Sequence, residues 1–185
     1  SILTKQGYQT PLGTIDINNN MTKKLLKHTD YFHDDIKAHH NEHSIEVLLP
    51  LIQIIQPKAK IIPIVCGDIQ QEDINKISDA IIDVYTSQDT LLVTSTDFSH
   101  FYSANQAIKM DQFAIQLIEQ WDSQALWEQQ QKKTIQLCGL IPTLIMMRIL
   151  KKTGCEKAEP LSYAHSGEVS QDFSRVVGYN SVRFY

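Results

Sequence analysis

Short runs rich in Ile and Val alternate along this chain with longer stretches whose apolar residues recur at helical spacing. That alternation constrains the fold more than any other feature. Residues 60–65 and 91–95 have the composition of buried strands. Asn18, Asn19 and Asn20 offer caps for a helix over 21–28. Residues 29–40 are polar and His-rich, the mark of a loop. In 42–55, Ile45, Leu48, Leu49, Ile52 and Ile55 keep helical spacing, and Pro50 inside that pattern predicts a kink. Further helices are predicted over 73–85, 104–121, 123–133 and 138–152, the last stopped by Gly154. Strands over 161–165 and 175–184 close the sequence. The expected architecture is α/β, a three-layer α/β/α domain around a mostly buried mixed sheet, with 1–185 as one domain.

The front of the chain departs from this plan. Thr10-Pro11-Leu12-Gly13 is turn chemistry, followed by an extended run over 14–17. A layered sheet usually opens with a core strand, and none is legible before residue 14. The fold is therefore expected to be incomplete on its N-terminal side.

Composition narrows the function classes. The 185 residues are 42% apolar and 21% charged, with a net charge of −4 spread along the chain. Lys23-Lys24 and Lys132-Lys133 are the densest basic runs and read as solvated helix faces, so no nucleic-acid partner is expected. The longest apolar stretch, 137–150, is broken by Gly139, Pro142 and Arg148, which argues against a membrane span or membrane partner. Cys66, Cys138 and Cys155 are odd in number and form no Cys-x-x-Cys pattern. A disulfide framework is not expected, and a reducing cytoplasm is the default location.

Four constellations could carry chemistry. Thr96-Asp97-Phe98-Ser99-His100 follows the run 91–95, where open α/β sheets bind ligands. Asp97 beside His100 suits acid/base work, because a carboxylate fixes the imidazole tautomer. The competing reading makes Asp97 a cap and His100 a surface residue. His39-His40-Asn41-Glu42-His43 has the form of a zinc-peptidase signature, in which His39 and His43 hold zinc and Glu42 activates water. Cys138 stands next to Gly139 at a predicted helix start, a place that suits a metal ligand or reactive thiol, or a small buried hydrophobe. Cys66 and Cys155 lack that context and read as structural. Tyr163 and His165 could edge a pocket or serve the core of a terminal strand.

In order along the chain, Thr10-Pro11-Leu12-Gly13, Glu42-His43-Ser44-Ile45-Glu46 with Leu49-Pro50, Thr96-Asp97-Phe98-Ser99-His100, Cys138-Gly139 with Pro142, Tyr163, and Val177-Gly178-Tyr179 resemble the Memo family. The resemblance implies a fold similar to the class III extradiol dioxygenases, here as the C-terminal portion of the family domain. It implies a pocket that holds iron or copper through two His and one Cys. The family's Cys-Gly motif falls on Cys138. The two His belong to motifs ahead of the Thr-Pro-Leu-Gly segment and have no counterpart among residues 1–9, so iron or copper is expected in the intact protein and weak or no metal binding in residues 1–185 alone. By the same resemblance His100 and Asp97 are the acid/base pair, and Glu42, His43 and Tyr163 border the pocket. The implied function is a dioxygenase-like or redox metalloprotein acting on a small molecule. Alternatives are an adaptor for phosphorylated peptides, for which Arg148, Arg175 and Arg183 are the available arginines, and a zinc hydrolase built on His39, Glu42 and His43.

Overall fold

The structure, a computed structural model, describes residues 1–4, 7–85 and 89–185. The chain divides into two compact units, Ser1–Ser95 and Thr96–Tyr185.

In the first unit the turn chemistry closes a hairpin. Strand β1 (Tyr8–Thr10) pairs antiparallel with β2 (Gly13–Ile15), and Gly13 takes φ 111° to make the turn. The extended run after residue 13 therefore does have a strand before it, contrary to expectation. Three polar residues would not have revealed β1, because a hairpin strand depends on its partner more than on its own composition. Helix α1 (Asn19–His28) begins where expected, with the Asn18 side chain accepting from the Met21 N–H at 3.3 Å.

The polar stretch expected as loop contains a short helix, α2 (Ile36–His40), because Asp35 caps it by accepting from the Lys37 N–H at 2.9 Å. Residues 44–48 form turns, and α3 (Leu49–Ile55) starts only there. Pro50 lies in its first turn, where a missing N–H costs nothing, so it opens this helix and does not kink a longer one. Helix α4 (Asp73–Ile82) buries Ile74, Ile77, Ala80 and Ile81.

The two runs expected as buried strands differ most from expectation. Residues 60–65 make only isolated bridges, Ile61 parallel to Ile17 and Ile64 antiparallel to Ile2, with Pro63 between them unable to donate. Among the described residues, 91–95 forms no strand ladder, and Leu91 and Val93 are 85% and 55% exposed. Apolar composition makes a strand only where a neighbouring strand takes up its backbone bonds.

The second unit follows the predicted order closely. Strand β3 (His100–Tyr102) leads into α5 (Ala104–Glu119), α6 (Ser123–Gln131) and α7 (Leu140–Lys152). Strand β4 (Ala158–His165), the short α8 (Gly167–Ser170) and β5 (Val176–Phe184) complete it. The sheet order is β3-β5-β4 with both pairings antiparallel, so β5 is the central strand. Asp122 caps α6 through the Ala125 N–H at 2.9 Å, and Gly154 at φ 99° follows α7. The core is built on Ala107, Ala114, Ile118, Leu126, Met147, Ile149 and Val176, all buried. The chain is α/β, and its mix of elements agrees with the expected three-layer class; parallel pairing occurs only at the bridges of Ile2 with Asp34 and Ile17 with Ile61 among the described residues.

Met147 is fully buried on α7. Met147→Ala should lower unfolding stability by about 2–5 kcal/mol through lost burial and the cavity left behind. Urea denaturation followed by circular dichroism measures it.

Candidate metal centre

The centre is assembled by backbone bonds before any side chain reaches it. The Phe98 N–H donates to the Gly178 carbonyl, and the Gly178 N–H donates to the Ser99 carbonyl, each at 2.9 Å. Phe98 and Ser99 are thereby buried against β5, and the flanking Asp97 and His100 keep partial access to solvent. The His100 N–H donates to Gln136 Oε1 at 2.9 Å.

Cys138 is held from the other side. Leu137 is buried, and its N–H and carbonyl both bond the Gln130 amide, at 3.0 and 3.1 Å. The Cys138 N–H donates to the Asp97 carbonyl at 3.2 Å, and the Gly139 N–H to Thr96 Oγ1 at 2.8 Å. In return the Asp97 N–H donates to Cys138 Sγ at 3.1 Å, with Thr96 Oγ1 3.6 Å from the same sulfur. Helix α7 starts two residues later, so Cys138 belongs to the turn ahead of the helix and is exposed, not a buried hydrophobe.

The result is a convergence of Asp97, His100 and Cys138, whose ligand atoms all lie within 4.8 Å of one another. His100 Nε2 is 3.4 Å from Asp97 Oδ2. A sulfur, an imidazole nitrogen and a carboxylate oxygen form a donor set suited to a first-row transition metal. Tyr179 stands nearby; partial burial and then the Asp97 charge hold its hydroxyl above the ordinary phenol value.

Tyr163 donates to Asp111 Oδ2 at 2.7 Å, and burial together with that carboxylate raises its pKa well above 10. Asp111 itself, 1% exposed on α5, was missed by sequence reasoning. A charged residue on the stripe Ala107, Asp111, Ala114, Ile118 was the available signal. His165 is buried with its ring edge-on to Phe173, 5.8 Å between centroids.

In the first unit, Glu42 and His43 follow α2 in a turn. Glu42 Oε1 accepts from the Ser44 N–H at 2.8 Å, which with other local bonds depresses its pKa, and His43 is exposed. His39 is buried on α2, its Nδ1 2.8 Å from the Tyr8 hydroxyl. The three residues share no helix, so the zinc-peptidase geometry is not formed; among the described residues the group able to share a metal is Asp97, His100 and Cys138. Arg183 pairs with Glu159 at 2.6 Å, and the Arg175 guanidinium lies over the Phe101 ring at 5.1 Å. All three cysteines are free thiols, and burial raises the pKa of Cys66. No helix among the described residues is long and apolar enough to cross a membrane.

A family model described as Memo-like protein matches residues 1–183. A MEMO1 family protein of Methanopyrus kandleri is 34% identical over 98% of this chain and 65% of its own length. Similar proteins of Nitrosopumilus maritimus and Aquifex aeolicus are 32% and 31% identical, over 96% and 100% of this chain and 65% and 69% of their own lengths. The chain thus spans about 65% of the length of the first two relatives.

Burial depresses the His39 pKa below its ordinary 6.5. The native state therefore disfavours the proton that the unfolded chain accepts. Stability should be full above that value and decline as pH falls through it toward the lower native pKa. Chemical denaturation at several pH values between about 7 and 5 should show this slope, and His39→Gln should flatten it.

Proposed function

The chain belongs to the Memo family, and from that premise we propose that it is a dioxygenase-like metalloprotein that uses Cys138 as a metal ligand and His100 with Asp97 as a proton-handling pair for a small-molecule substrate. The observation that carries the reading is the convergence of those three side chains within 4.8 Å.

The residues present fit iron or copper. Cys138 offers the soft donor, fixed in place because its own N–H and that of Gly139 are bonded back to Asp97 and Thr96. The Asp97 N–H donates into the sulfur and sets its direction. The family's two His ligands, which the resemblance places ahead of residues 10–13, would complete the set. Iron or copper, when bound, supplies Lewis acidity and one-electron redox chemistry.

The proton chemistry belongs to the chain. With Nε2–H of His100 facing Asp97 Oδ2, Nδ1 carries the lone pair and can accept a proton from a bound substrate. Asp97 then offsets the charge on the imidazolium. Phe98 and Ser99, both buried, keep the pair from swinging apart. The free thiols suit a reducing compartment, and a cytoplasmic place of action is part of the reading.

Metal content after anaerobic purification and reconstitution with ferrous iron or copper tests the proposal. The chain carried together with the two His-bearing segments should bind stoichiometrically, and residues 1–185 alone more weakly, because affinity rests on ligand count and geometry. Cys138→Ala should weaken binding by at least about 100-fold, and His100→Ala by about 10-fold. Unchanged metal affinity in Cys138→Ala would sink the reading.

A further inference from the structure

We propose that Asp111 is the positioning residue of this centre, a buried carboxylate that fixes Ser99 and through it holds Asp97 and His100 toward Cys138. The inference rests on the metal-centre reading above.

Ser99 lies between Asp97 and His100 in the chain, so its backbone orientation sets theirs. All of its hydrogen-bonding groups are committed. Its N–H donates to Asp111 Oδ1 at 2.9 Å, its hydroxyl donates to Asp111 Oδ2 at 3.0 Å, and its carbonyl accepts from the Gly178 N–H at 2.9 Å. Asp111 thus grips Ser99 by backbone and side chain together. The Tyr163 hydroxyl, donating to Oδ2 at 2.7 Å, holds that oxygen from β4. Burial and the carboxylate keep Tyr163 protonated, so it remains a donor throughout the neutral range.

Three features argue that this grip exists for the centre and not for the core alone. A buried carboxylate is costly unless its lone pairs are filled, and the other residues on this face of α5, Ala107, Ala114 and Ile118, are small or aliphatic. An apolar residue at 111 would satisfy packing; it could not bind the Ser99 N–H. Gly178 points the same way. Its φ is not in the left-handed region, so no backbone demand explains it, yet a methyl at its Cα would overlap Asp111 Oδ2. The central strand therefore leaves room for this carboxylate at the point where it also bonds Phe98 and Ser99. Finally, Ser99 and Asp111 are 0% and 1% exposed, whereas Asp97 and His100, the side chains they orient, keep partial access to solvent.

The test uses cobalt(II) as probe, read by its thiolate-to-metal absorption band, together with melting temperature and the rate at which iodoacetamide alkylates Cys138, followed by peptide mass spectrometry. Tyr163→Phe, Ser99→Ala and Asp111→Asn are compared with Met147→Ala, a core variant outside the centre. Tyr163→Phe and Asp111→Asn should weaken cobalt binding about 10–100-fold and alter the band. Ser99→Ala, which keeps its N–H bond, should do less. Met147→Ala should melt lower yet bind cobalt as the native chain does. If Asp111→Asn does not fold, Tyr163→Phe and Ser99→Ala decide. Native affinity and spectrum in a folded Tyr163→Phe and Asp111→Asn would overturn the inference. Absence of a thiolate band when the native chain is carried together with the two His-bearing segments instead overturns the metal reading. Positioning is then judged on alkylation alone: a change of about tenfold or more at Cys138 in Tyr163→Phe supports it, and an unchanged rate overturns it.

Discussion

The second unit depends on the pair of hydrogen bonds that Gly178 exchanges with Phe98 and Ser99. They extend the pairing of β5 one step beyond β3, so a segment that would otherwise be loop becomes part of the sheet. Phe98 is buried in consequence, and its burial turns Asp97 and His100 to the same accessible side. Without that pairing, the two residues would sample independent directions, at an entropic cost of about 1–2 kcal/mol for each residue that a ligand then had to order.

Cys138 meets this platform through a second reciprocal arrangement. Backbone N–H groups of 138 and 139 reach back to Asp97 and Thr96, while the Asp97 N–H reaches forward to the sulfur. The main chains of Asp97 and Cys138 are thereby fixed to each other, and the sulfur is held by the Asp97 N–H. The Asp97 carboxylate and the His100 imidazole limit each other through their contact at 3.4 Å.

Much of this was legible in the sequence, for reasons that are local. Asn18 caps α1 and Asp122 caps α6 because a side-chain oxygen two or three residues before a free N–H needs no tertiary help. The spacing of α5, α6 and α7 survives because each helix satisfies its own backbone. The short apolar runs at 60–65 and 91–95 misled because strands are completed by neighbours, and composition does not report whether those neighbours are there. Pro50 misled in a different way. The same ring that breaks a helix interior is neutral in a first turn, and only the position of the helix start separates the two. Asp111 was hidden because nothing local marks it; its partners Ser99 and Tyr163 lie 12 and 52 residues away.

Charge adds a last step. Asp111 and Asp97 sit on either side of the Phe98–Ser99 pair, one buried and one partly open. Asp111 is satisfied by three neutral donors and asks nothing further of its surroundings. Asp97 has one imidazole and faces a sulfur that is a strong metal ligand only as its anion. Bringing a second anion to within 4.8 Å of a carboxylate is unfavourable unless a cation joins them. A divalent ion would turn that repulsion into mutual attraction at the one place where all three side chains present lone pairs. The oxygens of Asp111 are taken up by hydrogen bonds from Ser99 and Tyr163, whereas an oxygen of Asp97 lies within reach of His100 and Cys138.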